Sequence, residues 1–411
     1  DRHSSAEDKI RESRAARMNA PPLKLKATWH SALAEIDRRA WNALATPLPT
    51  PFLEWEWLRR MEISGSITPQ TGWEPSHLTL WHQGRLVAAA ALYIKHHSEG
   101  EFIYSHLWGE VARKLELPYY PYLLGMSPVT PVAGYQFLLA SDYPRDELTR
   151  QLLTAIYQRC RDAQLSGVSF LFVDDTWGEQ MAGCGFTPWL HQSYRWQNPG
   201  FSDFDDYLAQ FKTNQRRNIK RERKRLAVQR IRLEPLTRSQ VTPQLLELMY
   251  QYYADTNARY GPWGCKYLNR TFFRGLPEDF SNRLVLMAAL PEGKPAPPVG
   301  LAMLVRKGER LYGRYWGCAE PLDSLHFNTC FYRPIEWAIA QGIQIFDPGM
   351  GAHHKLRRGI PSVGVYSLHR FTSPILQGVM DHHMAKINRD TQHQINALNR
   401  HLPFAQNIEI S

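Results

Sequence analysis

Apolar residues along this chain change spacing many times, and each change marks an expected element. Ala32 to Leu44 and Phe52 to Met61 repeat at helical spacing, the second after a proline-rich turn. His77 to Trp81 and Leu86 to Lys95 alternate or run apolar around Gln83-Gly84, which predicts a hairpin. Glu101 to Leu107 reads as a continuation of that sheet, and a loop rich in Pro, Tyr and Gly spans 118–134 before a strand from Tyr135 to Ala140. Arg145 to Leu165 predicts a helix with Leu148, Leu152, Ile156 and Cys160 on one face. Val168 to Val173 is a short buried strand, a small helix reaches Gly183, and Phe186 to Trp196 closes the half as one strand.

The second half runs in a similar order. Leu245 to Arg259 and Tyr267 to Leu276 predict helices, Arg283 to Leu290 and Val299 to Lys307 strands. Arg310 to Cys318 is rich in aromatic strand formers, and Leu325, Phe327, Phe331, Ile335 and Ile339 then follow at helical spacing up to Gly342. Pro334 lies inside that helix. A ring without an amide donor clashes with the preceding turn, so a kink or a restart is expected there. Ile343 to Phe346 is a buried strand stopping at Asp347-Pro348-Gly349, and a glycine-punctuated loop with His353, His354, Lys355, Arg357 and Arg358 follows. A strand, helix, strand, cationic-loop unit places its ligand beyond the strand ends.

Between the halves, Ser202 and Asp205 suit a helix N-cap and its third-position acid. Phe204, Leu208, Phe211, Ile219 and Leu226 then continue at helical spacing, predicting one long helix. From Lys212 to Arg232 there are ten basic residues and a single acid, Glu222, so this stretch holds +9 of the chain's formal +10. A charge run is ordinarily a solvated face. Ten cations with one acid have few partners a turn away, however, and a polyanion relieves their repulsion. Lys212, Arg216, Arg217, Lys220, Arg221, Arg223, Lys224 and Arg225 are therefore the nucleic-acid-binding candidates, with an anionic membrane surface as the other polyanion.

Composition narrows the classes. A chain of 411 residues favours two domains, and 43% hydrophobic with 21% charged residues is a globular balance. No apolar run approaches the roughly 20 residues of a membrane-spanning helix. The N-terminus is polar and charged through Arg17, unlike a signal peptide, and residues 1–22 are expected to be a disordered extension. Five cysteines without a C-x-x-C pair argue against a disulfide framework or a zinc site, and for the cytoplasm. Residues 326, 353 and 354 are not at a metal-binding spacing of histidines, so neither a metal nor a cofactor is expected.

Several ordered motifs carry a resemblance. A strand ending Arg314-Tyr-Trp-Gly-Cys318 leads to a helix that opens Leu325-His-Phe327 and carries Ile335-Glu-x-Ala-Ile339. A short strand then leads to Gly351-x-x-His-Lys355 and Arg358-Gly359, with Ser127 to Gly134, Gly185 to Trp189 and the basic run upstream. This pattern resembles the bacterial Fem-like N-acyltransferases of peptidoglycan biosynthesis or recognition, from about Trp41 onward. The resemblance implies an α/β fold of two tandem GNAT-like domains, at residues 23–200 and 233–411, joined by a basic helical linker over 201–232. It implies amide formation, an aminoacyl-tRNA donor, and a place for Lys355 against acceptor phosphates.

Such a transfer needs an amine to lose a proton while an ester or thioester carbonyl is polarised. His326, Glu336, Asp347, His353 and Lys355 are the catalytic candidates, and Arg314, Tyr315, Trp316, Arg357, Arg358 and Thr130 the substrate-binding ones. A nucleophilic Cys318, with His326 or His353 as base and Asp347 as orienter, is the competing chemistry. The Q/R-x-x-G-x-G/A loop of simple acetyl-CoA enzymes is absent, and Pro128 and Pro131 remove amides that would cradle a pyrophosphate. Three readings stand: aminoacyl-tRNA-dependent transfer, transfer from a CoA or carrier-protein thioester, and a non-catalytic binder of anionic ligands.

Overall fold

The computed structural model describes residues 23–293 and 295–405, and the expected disordered extension over 1–22 lies outside them. The first half supplies β1 (Lys26–His30), β2 (Trp73–Pro75), β3 (His77–His82), β4 (Arg85–Ala90), β5 (Leu92–Lys95), β6 (Tyr122–Gly125), β7 (Leu138–Leu139), β8 (Gly167–Phe170) and β9 (Thr187–Tyr194). Its helices are α1 (Arg38–Ala45), α2 (Trp55–Ile63), α3 (Ser105–Lys114), α4 (Arg145–Asp162) and α5 (Asp175–Met181). The second half supplies β10 (Trp196–Gln197), β11 (Ile231–Thr237), β12 (Leu284–Pro291), β13 (Gly300–Lys307), β14 (Arg310–Cys318), β15 (Ile345–Asp347) and β16 (Ser362–Phe371). Its helices are α6 (Phe204–Ala209), α7 (Thr213–Val228), α8 (Pro243–Arg259), α9 (Arg270–Phe280), a composite α10 over 325–340, and α11 (Pro374–Asn399).

Three sheets result, ordered β1-β3-β4-β7, β2-β5-β6-β8-β16-β9 and β10-β15-β14-β13-β12-β11. Each six-stranded sheet contains one parallel pair, β6 with β8 and β14 with β15, bracketed by antiparallel strands. That repeated arrangement is the tandem GNAT-like plan. Where a boundary at residues 200–233 was expected, the sheets exchange strands instead. The closing strand breaks at Arg195, whose amide donates to Pro361, so β9 stays in the first sheet while β10 pairs with β15 in the second. In return, β16 inserts between β8 and β9. The apolar core is likewise continuous across the halves: fully buried Trp57 packs against Phe52, Phe272 and Phe280 at 5.0, 5.4 and 5.3 Å between ring centres.

Four local expectations need correction. Residues 105–114 form helix α3 rather than sheet: Ser105, Trp108 and Ala112 turn inward at helical spacing, and the Ser105 hydroxyl donates to buried Glu101. The strand expected from Tyr135 to Ala140 shrinks to β7, since Tyr135 packs on Phe170 and Trp177. The long linker helix is two helices. Its cap is Asp203, accepting from the Asp206 amide at 2.8 Å, and the break falls where Phe211 pairs with Phe404 and the Lys212 amide donates to Pro403. The helix expected from Tyr267 starts at Arg270 behind the Asn269 cap.

At Pro334 the helix does not restart; it runs on in the right-handed helical region through Phe327, Asn328, Tyr332 and Arg333, and the irregularity expected there takes the form of a π-helical turn just before the proline. Helix α10 opens with Leu325–Phe327, widens into a π-helical turn over Asn328–Tyr332 and continues as Arg333–Ala340, the wider turn directly preceding the proline that has no amide to donate. Gly317 fixes the seat of β14 on α8, because a Cβ there would meet the Tyr252 carbonyl oxygen at 2.3 Å. Gly317→Ala should therefore destabilise the fold by roughly 1–3 kcal/mol, read as a lowered midpoint of thermal unfolding.

Candidate active site

The site begins where two parallel strands part. β14 and β15 are paired only from Arg310–Ile345 to Tyr312–Asp347; beyond that β14 continues along β13 while the other chain turns away at Pro348. The β13–β14 register slips by one residue, Leu304 facing Gly313 and Met303 facing Tyr315, so Arg314 is the unpaired residue of a bulge. A bulge re-aims its side chain. Arg314 reaches across to the first half, donating to the Val129 carbonyl at 3.4 Å and lying 5.9 Å from the Phe52 ring, and its Nε has no partner among the described residues.

Asp347 closes β15 and is buried, with one carboxylate oxygen accepting from the Gly349 amide at 2.8 Å. Burial raises its pKa, opposed by that amide and by the charges of Arg195, Arg314 and Lys355. Lys355 does not project into solvent as a loop lysine would: it is only 4% exposed. A short helical turn over His353–Arg358 folds it under the loop, where its ammonium donates to the carbonyls of Met350 (3.1 Å) and Gly351 and lies 5.2 Å from the Tyr194 ring centre. Burial lowers its pKa to about 8, partly offset by Asp347. His353 stays exposed beside it, its Nδ1 3.1 Å from the Tyr194 hydroxyl.

A second cluster joins the loop to the basic helix. Arg358 is 4% exposed, stacks 3.3 Å over Phe327, donates to the His354 carbonyl at 2.8 Å and pairs with Glu222 at 3.2 Å. Glu222, the lone acid of the basic run, faces inward from α7; it also accepts from Tyr332 and from Asn218, and its carbonyl accepts from Asn328 on α10. His354 packs on His326, Phe327 and Phe331, each 5.5 Å away, and its Nε2 is buried without a partner among the described residues. Burial holds His326 near a pKa of about 3 and His354 near about 4, so both rings are neutral at pH 7.

The remaining candidates divide. Trp316 packs on His326 at 5.0 Å and with Cys318 lines a pocket of about 240 Å³. Burial raises the Cys318 thiol pKa, the reverse of what a nucleophile needs. Tyr315 turns the other way, into Tyr253 and Phe273. Glu336 pairs with Arg223 at 2.9 Å and Arg333 at 2.7 Å; burial pushes its pKa up, and the two guanidiniums bring it below the usual range. Thr130 spends its hydroxyl on the Pro128 carbonyl in its own loop.

On α7, Arg223 pairs with Glu336 and Arg225 with Asp323, so these two fasten the helix to the body. Lys212, Arg217, Lys220, Arg221 and Lys224 are exposed without an acidic partner among the described residues. Exposed Arg357 adjoins them, its carbonyl accepting from Gln215 of α7 at 2.6 Å. A groove of about 1100 Å³ opens beside Lys212 and Arg195, between β9, β16 and the end of α11. Among the described residues no three His, Cys, Asp or Glu are grouped to hold a metal, and no helix is long and apolar enough to cross a membrane.

Sequence reasoning missed Tyr194, Tyr332, Phe327 and the inward role of Glu222. Glu222 left a trace as the one acid among ten cations, and Phe327 as the end of the Leu325-His-Phe327 opening of its helix; Tyr194 and Tyr332 reach the site through packing that the sequence does not mark.

Comparison with known proteins adds the family. The crystal structure of FemX superposes with a TM-score of 0.52 at 12% identity, covering 87% of this chain and 99% of FemX. The C-terminal domain of a lysylphosphatidylglycerol-synthetase-like protein from Agrobacterium fabrum superposes with a TM-score of 0.50 at 10% identity, covering 87% and 97%. Such identities speak for a shared fold alone. No curated protein matches the sequence. The sequence pattern of one family does match over residues 32–406, nearly the whole described chain, and the protein belongs to that family, the FemAB-like proteins of peptidoglycan biosynthesis/recognition.

Proposed function

We propose that this protein is an amide-forming aminoacyltransferase, moving an aminoacyl group from a tRNA ester to an amine of a small molecule or cell-wall precursor. One observation carries the donor assignment: unpaired cations of α7 run on to Arg357 of the site loop, while Glu222 turns inward and ties that helix to Arg358. A polyanion laid along α7 is thereby brought to the mouth of the β14–β15 splay. In the transfer, the amine attacks the ester carbonyl, the C–O bond to the ribose breaks, and the amine's proton passes to the departing hydroxyl. Lys355 supplies positive charge near the developing oxyanion, Asp347 beside it sustains that charge, and neutral His326 and His354 shape the wall. Family membership supports this reading, as does the absence of a pyrophosphate-cradling loop, which argues against a CoA donor. Five free cysteines suit a cytoplasmic enzyme.

The chemical test uses bulk tRNA charged with radiolabelled amino acids and an extract of cell-wall precursors. Transfer converts label from an alkali-labile ester into an alkali-stable amide; no stable label with any amino acid sinks the enzymatic reading. The binding test uses salt. Affinity for bulk tRNA should fall by about 0.9 log units per phosphate contact for each tenfold rise in salt. Reversing Arg217, Lys220, Arg221 and Lys224 to Glu should flatten that slope with an unchanged melting midpoint. Tight, salt-insensitive binding, or none at low salt, would remove the tRNA donor.

A further inference from the structure

On the opposite side of the site loop lies a half-open groove of about 980 Å³, between α3 and α11, that the transfer chemistry above does not use. Its walls are Phe102, Leu107, Trp108, Trp189 and Ile387, and Met350 and Gly351 close one end. Those two residues are the ones whose carbonyls hold Lys355. Two of the chain's exposed large apolar side chains, Tyr104 (68%) and Leu107 (49%), stand in its lining. Phe102 adopts a φ of 59°, a conformation that a bulky aromatic side chain rarely tolerates.

The α11 rim of the groove is polar, with His383, Lys386 (paired with Asp390 at 2.7 Å), Thr391 and Gln394, and beneath it the floor is polar at Gln192 and His191. His191 is only 8% exposed, and its Nε2 is 2.7 Å from the Ser367 hydroxyl. Ser367 is in turn 2.7 Å from His369 Nε2, and His369 Nδ1 is 2.8 Å from the Ser169 hydroxyl. Four buried polar side chains therefore form one row under the sheet, and all their ring nitrogens are engaged except His191 Nδ1, which has no partner among the described residues. A row of this kind has two consistent proton arrangements. With Ser169 and Ser367 donating toward the imidazoles, His191 offers an N–H at Nδ1; with every donor reversed, it offers a lone pair. Burial keeps both imidazoles neutral, near a pKa of about 3.

From this arrangement we infer that the groove binds an uncharged ligand portion with an apolar body and one hydroxyl or amide, which pairs with His191 Nδ1. A purely apolar chain would leave that nitrogen desolvated and unpaired, and a charged group carried past the Lys386 rim to the floor would meet a neutral ring packed on Trp189 and Phe172. On the transferase reading, which this assignment of role rests on, the groove holds the acceptor and points its amine at the Lys355 loop.

A fatty alcohol and a capped apolar amino acid both present this chemistry, and 1-octanol and N-acetyl-L-leucinamide serve as separate probes. Crystals of the intact protein soaked in each should show density for at least one within hydrogen-bond distance of His191 Nδ1, and which one binds identifies the source. By calorimetry, His191→Phe should weaken that probe about tenfold, the scale of one buried hydrogen bond. Ser367→Ala, which leaves the groove wall intact, should weaken it by a smaller factor. An empty groove with both probes, binding unaffected by His191→Phe, or tighter binding of octanoate than of either probe would overturn the inference. None of these measurements involves tRNA or transfer, so failure here and failure of the aminoacyltransferase reading are separable.

Discussion

Glu222→Ala should lower the unfolding free energy by roughly 3–5 kcal/mol, the usual consequence of stripping the partner from a buried charge. Arg358 is the charge in question. It is 4% exposed, fixed over Phe327, and its only carboxylate neighbour among the described ion pairs is Glu222. The same substitution strands the Tyr332 hydroxyl and the Asn218 amide. Glu222→Gln, keeping shape and acceptor but not charge, should cost distinctly less. Removing both charges together, as Glu222→Leu with Arg358→Met, should recover most of the loss, because well-packed apolar residues replace a buried pair at little cost. Urea unfolding of the set measures all three. A loss below 1 kcal/mol for Glu222→Ala would mean that water reaches Arg358 and that α7 is not bound to the loop through this pair. Activity should separate from stability: the double variant refolds the junction but should still transfer poorly, since the helix no longer registers the loop beneath it.

What was legible in the sequence follows from which contacts are local. The β14–α10–β15 unit and a helix irregularity at Pro334 could be read because strand formers, helical spacing and a proline act within a few residues of themselves. The basic character of α7 was equally plain. Its break at Phe211 was not, since Phe211 fits the helical spacing and leaves it only to meet Phe404, some 190 positions onward. Glu101 to Leu107 misled because Phe102-Ile103-Tyr104 is a short apolar run like a strand's, whereas helix α3 opens at Ser105, whose hydroxyl donates to Glu101, and Glu101 is held in turn by Tyr122 of β6. At the site, Asp347, Lys355 and Arg358 were named from their place at or after a strand end, and His326 as a base on the helix before it. Their burial, and therefore their charge state, was hidden, because Tyr194 and Glu222 come from other sheets and helices.

Lys355 shows why that burial matters, and it yields the largest expected change in activity. A lysine waving in solvent would tolerate alanine without penalty; this one fills space under its loop, so alanine would open a void costing roughly 2–4 kcal/mol and confuse folding with function. Lys355→Met keeps the volume and removes only the charge. The folded-state pKa is depressed to about 8 from the ordinary 10.5. Between those values the unfolded chain binds more protons than the folded one, so wild-type stability rises with pH across that window and the full burden of the buried charge is felt below pH 8. Methionine carries no such burden. At pH 7 the variant should be at least as stable as wild type, and the gap between them should narrow steadily from pH 8 to 10.5. Formation of alkali-stable amide from charged tRNA should nonetheless fall about 10²–10³-fold, the usual effect of deleting one oxyanion-stabilising group from a water-poor site. A variant that melts lower at pH 7 would show that the Met350 and Gly351 carbonyls stabilise the ammonium beyond its burial cost. One that transfers at the wild-type rate would remove Lys355 from the chemistry and shift attention to Arg314 across the splay.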